Sequence, residues 1–200
     1  MRLTETCLIQ TGYTARSRLE PARYGGVPVI QLRDISADGA IEPDRLTRVD
    51  LADLPDRYFV RAGDVLFRSR GDRCTASALN ERFDEPALAV LPLIILRPKP
   101  DVVIPEYLAW VINQPAAQRH FNDAARGTSM RMVPKSSLDD LQIDIPNIET
   151  QRRIVAIDVL AERERALSVL VADKRRQLAS LILGESLKMS CHNIKRKGKT

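Results

Sequence analysis

Between Asn147 and Leu183 the chain contains neither proline nor glycine. That stretch constrains the fold more than any other. It is entered through Leu141-Gln142-Ile143-Asp144-Ile145, whose alternation predicts a short strand over 141–145, closed by Pro146. Asn147 or Thr150 is suited to cap a helix, with Glu149 near the positive end of its dipole. Gly184 predicts the C-terminal cap. Ile157, Leu160, Leu167, Val171, Leu178 and Leu181 recur in alternating steps of three and four once Glu164 and Lys174 are counted in the same stripe. That is a heptad-like seam with two polar members. A helix from Gln151 to Leu183 is roughly 50 Å long at about 1.5 Å per residue. Either it folds back on its own domain, or it protrudes and seeks a partner helix. Its length favours the second.

The charge is distributed unevenly. The chain has 200 residues and a net charge of +5. Residues 1–148 hold nineteen basic against twenty acidic side chains, so the excess sits in the tail, at Lys188, Lys195, Arg196, Lys197 and Lys199. Seventeen of the nineteen are Arg. Arginine's planar fork of donors suits phosphates and guanine edges. Coding bias can produce the same preference, so composition alone does not indicate DNA. Only 4% of residues are aromatic, which leaves the core to Leu, Val, Ile and Ala.

Ahead of the helix the pattern is α+β. Val27–Leu32 reads as a strand, at a sheet edge or with Pro28 near its start. Residues 42–57 read as a connector. Strands are expected at 58–60, 65–67, 76–79 and, as one central strand, 87–96. Pro105 starts one helix and Pro115 a second, with Phe121 facing inward. Residues 134–141 form a helical turn.

Catalytic patterns are missing. There is no Walker-type phosphate loop, no G-x-G-x-x-G and no G-x-S-x-G. His120 lacks an evident carboxylate partner, and Asp139-Asp140 is explained by capping and solvation. Cys7, Cys74 and Cys191 are too scattered for a zinc site and fit a reducing cytoplasm. No metal or cofactor is expected. No signal peptide or membrane span is expected either. A soluble, cytoplasmic, non-catalytic protein is the expectation.

Two loops combine Arg, hydroxyl residues and Gly. One is Arg68-Ser69-Arg70-Gly71-Asp72-Arg73-Cys74-Thr75. The other is Arg126-Gly127-Thr128-Ser129-Met130-Arg131, with Lys135 beyond it. Arginine forks can read guanine while hydroxyls and backbone N–H groups hold phosphates. A solvated surface loop has the same composition.

Four segments resemble a known family. Gly12–Glu20 followed by Val29–Ile35 resembles the start of a target recognition domain from the specificity (S) subunit of type I restriction–modification systems. Arg61-Ala62-Gly63-Asp64-Val65-Leu66-Phe67 resembles that family's turn-and-strand element. Residues 126–133 resemble the loop after its helical pair. Leu138-x-x-Leu141-x-Ile143-x-Ile145-Pro146, then Glu149-x-Gln151-x-x-Ile154, resembles the junction into its long helix. The order and spacing of the four carry the likeness.

The resemblance implies a non-catalytic subunit. It would bring a DNA adenine methyltransferase subunit and a restriction/translocase subunit to a bipartite site on double-stranded DNA. Residues 1–147 would be the target recognition domain, a strand-rich body with a small helical pair. Residues 148–184 would be one coiled-coil-forming helix for dimerisation and docking, and 185–200 a basic, disordered tail. Family members carry two such domains and two helices, so this chain resembles half of one. That implies a homodimer or pairing with a second half-length S subunit. Candidate DNA contacts are Arg16, Arg18, Arg68, Ser69, Arg70, Arg73, Thr75, Arg126, Thr128, Ser129, Arg131 and Lys135. The docking helix would use Ile157, Leu160, Glu164, Leu167, Val171, Lys174, Leu178 and Leu181. The competing reading is a protein–protein adaptor in a related phage-defence or DNA-modification complex, without DNA readout of its own.

Overall fold

The structure, a computed structural model, describes residues 1–15, 19–36, 39–51, 54–71, 74–125 and 131–197, with side chains described to residue 185. It divides into two compact units, Met1–Val155 and Ala156–Thr200.

The first unit is a body of three layers. One sheet contains β1 (Cys7–Thr11), β5 (Val65–Arg68), β6 (Ala76–Ala78) and β8 (Leu93–Pro98), in the order β1-β8-β5-β6, all antiparallel. The other contains β2 (Val27–Ile30), β3 (Thr47–Val49), β4 (Phe59–Val60) and β7 (Ala87–Ala89), in the order β3-β2-β7-β4. Four short helices complete the body: α1 (Leu3–Thr6), α2 (Pro105–Asn113), α3 (Pro115–Ala124) and α4 (Lys135–Asp139).

The two central strands of the first sheet, β5 and β8, are buried on both faces, and their alternation sorts the core. Val65, Phe67, Ile94 and Leu96 pack with Leu108, Ile112 and Phe121 of the helices. Leu66, Leu93 and Ile95 pack with Ile30, Val60 and Ala89 of the second sheet. A strand covered on both faces reads as a continuous apolar run, as Val65-Leu66-Phe67 and Leu93-Ile94-Ile95-Leu96 do. Phe67 and Phe121 meet at 5.0 Å between ring centroids. Losing either ring from this packing should cost about 3–5 kcal/mol.

Gly12 marks the place where the sheets join. Beyond β1 the chain crosses over, and the Tyr13 N–H donates to the Ala89 carbonyl at 2.8 Å. A Cβ on Gly12 would lie 2.8 Å from the Leu93 oxygen and 2.9 Å from that of Ala89. Only glycine lets the two backbones approach so closely.

Several expectations change. The single strand expected over 87–96 is two strands in different sheets, broken at Val90-Leu91-Pro92. Pro92 cannot donate to a ladder, so the chain turns there from one sheet to the other. Residues 141–145 form no strand. Only Gln142 makes a bridge, to Arg2, and Met1 and Ile143 exchange backbone hydrogen bonds of 2.9 and 3.0 Å. The Leu3 N–H adds a bond to the Leu141 carbonyl at 2.9 Å, and the pairing stops where α1 begins at Leu3. For Pro28 the second of the two expectations holds: it sits near the start of β2, which is not an edge strand, before the parallel pairing with β7 begins at Val29.

The long helix, α5, runs Ile148–Lys197. Asn147, not Thr150, is its cap, accepting from the Thr150 N–H at 2.9 Å. The expected stop at Gly184 is absent, and backbone expected to be a disordered tail is helical through Lys197. A mid-helix glycine costs only about 1 kcal/mol against alanine, and no proline follows it. The first two turns belong to the body rather than to the second unit. Gln151 is fully buried there, donating to the Val102 and Pro146 carbonyls and accepting from the Ile104 N–H.

Candidate nucleic-acid interface

Strand directions gather one set of loops. β8 starts at Leu93, and β1 and β5 run antiparallel to it, so Thr11 and Arg68 end beside its start. β2 and β7 run parallel and finish next to the same corner. The segments after β1, β2, β5 and β7 therefore leave the body at one end. Both Arg-rich loops meet there. Arg70 bridges Met132, the Gly71 N–H donates to the Arg131 carbonyl at 3.3 Å, and the Val133 N–H donates to the Ser69 carbonyl at 2.8 Å. Nothing in the sequence shows that segments sixty residues apart are neighbours.

Within these loops the candidate residues separate. Arg70 and Arg131 are exposed and have no carboxylate partner among the described residues. Arg68 turns back instead, donating to the Ser36 carbonyl at 3.5 Å, with its Nε buried. Ser69 is 1% exposed, and its hydroxyl donates to the Pro92 carbonyl at 2.6 Å. Thr75 is half-buried and its hydroxyl oxygen is covered. Lys135 holds Asp139 at 2.9 Å. In this structure Arg68, Ser69 and Thr75 shape the loop, while Arg70 and Arg131 project from it. Arg16, Arg18, Arg73, Arg126, Thr128 and Ser129 lie outside the described residues.

Two further groups occupy the same end. A cleft of about 730 Å³ is lined by Tyr13, Thr14, Leu19, Gln31, Arg33 and Leu91, among others. The Arg33 side chain is 67% exposed, with its Nε 3.8 Å from Asp34. Asp34 is committed to the Gln31 N–H at 2.8 Å. The sequence placed Arg33 directly after a strand, which was the available signal. Leu91 and Met132, 41% and 47% exposed, are the other residues that composition did not single out.

The opposite end binds its charges internally. Arg97 donates to the Phe59 carbonyl at 2.7 Å and lies 3.6 Å from Asp64. Burial holds the Asp64 carboxyl above the usual range, against the opposing pull of the Arg61 N–H and the Arg97 charge. Arg48 forks onto Glu85 and also donates to the Gly26 carbonyl.

The remaining reactive side chains have structural positions. His120 Nε2 is 2.8 Å from the Ser137 carbonyl, tying α3 to α4. Cys7 is buried, which pushes its thiol up to about 11. Cys74 is buried and raised in the same direction. Among the described residues no three His, Cys, Asp or Glu side chains converge as a metal site. No described helix is long and apolar enough to cross a membrane.

In the second unit the whole seam is exposed. Ile157, Leu160, Leu167, Val171, Leu178 and Leu181 are each exposed by 46–67%. Glu164 and Lys174 are exposed among them. Leu170 and Ile182 extend the apolar surface on its flanks.

The fold has solved counterparts. A chain from a structure described as the basis of complex assembly and conformational transition of the type I R-M system matches with a TM-score of 0.64 and 23% identity, over 90% of this chain and 42% of that one. The HsdS subunit from Thermoanaerobacter tengcongensis matches with a TM-score of 0.58 and 23% identity, over 84% and 38%. The type I restriction-modification system S subunit from M. genitalium matches with a TM-score of 0.55 and 14% identity, over 88% and 42%. The chain thus has the fold of these S subunits and spans about two fifths of each solved chain. No family model and no curated protein matches it.

Proposed function

We propose that this chain supplies one target recognition domain and one docking helix as the specificity component of a type I restriction–modification complex. The observation that carries the reading is the meeting of Arg70 and Arg131, exposed and without a carboxylate partner among the described residues, at the end of the body that also bears the largely exposed Arg33, on a fold shared with S subunits. The body reads one half-site of double-stranded DNA and catalyses nothing itself. A DNA adenine methyltransferase subunit and a restriction/translocase subunit act on the DNA it selects, in the cytoplasm.

The second half-site requires a second body, and α5 provides the means of pairing. Antiparallel pairing centred level with Val169 sets Ile157 opposite Leu181 of the second copy, Leu160 opposite Leu178, and Leu167 opposite Val171. The same register sets Glu164 opposite Lys174. Every apolar layer then meets an apolar layer and the two polar layers neutralise each other. Flanking positions bring Leu170 to Leu170 and Arg163 to Gln177, without a like-charge clash. In-register parallel pairing would stack Glu164 on Glu164 and Lys174 on Lys174, which is unfavourable in a seam. Two-fold symmetry in the protein predicts a palindromic bipartite site.

The DNA-reading half is tested by selecting duplexes from a random pool and measuring affinity against salt. A recovered motif with a steep salt slope is expected, because phosphate contacts release counterions. Weak, flat, motif-free binding would instead support the adaptor. The pairing half is tested by charge reversal in sedimentation. Glu164→Lys and Lys174→Glu should each weaken the dimer, and the double reversal should restore it. A persistent monomer, alone and with its methyltransferase subunit, refutes pairing through α5.

A further inference from the structure

Two short extended segments, 69–71 and 131–133, and the turn at Leu91-Pro92 are tied together at the arginine-bearing end. The Pro92 carbonyl accepts from the Ser69 hydroxyl and, at 3.3 Å, from the Ser69 N–H. The Ser69 carbonyl accepts from the Val133 N–H. The tip is pinned from the other side, where the Leu91 N–H donates to the Tyr13 carbonyl at 3.0 Å. Extended chain alternates its faces. Ser69 and Val133, each 1% exposed, point inward. Arg70 and Met132, their bridged neighbours, point outward, and Arg131 next to Met132 and Leu91 in the turn are exposed as well.

Among the described residues, five large apolar side chains are exposed on the body: Met1, Leu8, Tyr24, Leu91 and Met132. Two of the five lie by Arg70 and Arg131, which have no carboxylate partner among the described residues. A patch made to hold a protein helix would gain nothing from two unneutralised guanidinium groups in its middle. Duplex DNA gains from both kinds of side chain.

Chemistry selects the groove. Only in the major groove does guanine show two acceptors to an arginine and thymine its 5-methyl group.

We infer that Leu91 and Met132 are specificity-determining residues that pack on thymine 5-methyl groups in the major groove, beside the bases read by Arg70 and Arg131. This rests on the DNA-reading function proposed above and extends it to the apolar half of the code. It predicts a half-site in which thymine lies near guanine.

The test uses the full chain and the duplex recovered by selection. Each thymine is replaced in turn by uracil, which removes only the methyl group. The wild-type chain should lose about fourfold in affinity at one or two positions per half-site, the value of one buried methyl-sized group. In Leu91→Ala and in Met132→Ala the uracil penalty should vanish at one of those positions, while the penalty for replacing guanine persists. Both side chains are exposed, and the uracil scan of the wild-type chain needs no variant. The inference is overturned if sequence-specific binding persists with no uracil penalty anywhere. It is equally overturned if both variants keep the full penalty, or if the selected half-site lacks thymine. Loss of all sequence preference in the wild-type chain would bring down the DNA-reading function itself.

Discussion

Arg97 and Arg70 lie at opposite ends of the same pair of antiparallel strands, and their surroundings could hardly differ more. Arg97 closes β8 among the Arg57 and Phe59 carbonyls and the Asp64 carboxylate. Arg70 follows β5 into solvent with no carboxylate partner among the described residues. The same contrast holds for Arg48, forked onto Glu85, against Arg131. The lesson is that an arginine-rich composition says little by itself. Half of the arginine question is which guanidinium groups the fold has already used. One end uses them to fasten the body, and the other leaves Arg70 and Arg131 exposed without a described carboxylate.

If that division is right, the largest effect should come from the open end. Replacing both Arg70 and Arg131 by alanine should weaken binding to the selected duplex by about 1–3 kcal/mol for each base-reading fork. The melting temperature should not move, because neither side chain holds a described carboxylate. Fluorescence anisotropy and thermal melting on one preparation separate the two. A large fall in melting temperature would erase the contrast between the ends.

At the closed end the corresponding effect is on stability. Gln151→Ala removes three hydrogen bonds and leaves the Ile104 N–H and two carbonyls without their partner. A cost of about 3 kcal/mol in urea denaturation is expected. The motif found by duplex selection should be unchanged. A changed motif with unaltered stability would mean that the closed end reads DNA after all.

Gln151 also shows how far the sequence was legible. The E-x-Q pattern was visible as a resemblance, but a glutamine on a helix ordinarily faces water. Its burial follows from two loops, at 102–104 and 146, that close around it. The long helix was legible because its period and lack of breakers are local facts. Its end was not, because a single glycine is a weak stop when helix-compatible residues follow. The neighbours β1 and β8 were illegible, since pairing across more than eighty residues leaves no local mark. Val65-Leu66-Phe67 hid its two faces because both are buried. The two Arg-rich loops were identifiable by composition. Which of their residues turn inward was decided by Pro92 and Ser36, residues outside both loops.

Asp64 gives a smaller effect with a definite sign. Burial raises its folded-state pKa above the unfolded value of about 3.9. The folded state therefore binds the proton more tightly, and stability falls as pH rises from about 4 through the raised value. Asp64→Asn should flatten that decline, read as melting temperature against pH. Arg97→Ala should steepen it, since the guanidinium favours the ionised carboxylate. An unchanged profile in both variants would mean that Arg97 and Asp64 are not the coupled pair assigned to the closed end.

The smallest expected effect tests the comparison where it is least clear-cut. Lys135 lies two residues beyond Val133, close to the open end, yet it is paired with Asp139. Both side chains are more than a third exposed, at 39% and 36%, so solvent screens the pair and its worth is at most about 1 kcal/mol. DNA phosphate competes with Asp139 for the same ammonium group. Asp139→Asn removes that competitor. If Lys135 reaches the backbone, non-specific affinity should rise slightly and the salt slope should steepen by less than about one unit, without any change of motif. Lys135→Ala should reverse both changes. If neither substitution alters the salt slope, Lys135 belongs with Arg48 and Arg97 as a fastening cation, and the open face narrows to Arg33, Arg70 and Arg131 among the described residues.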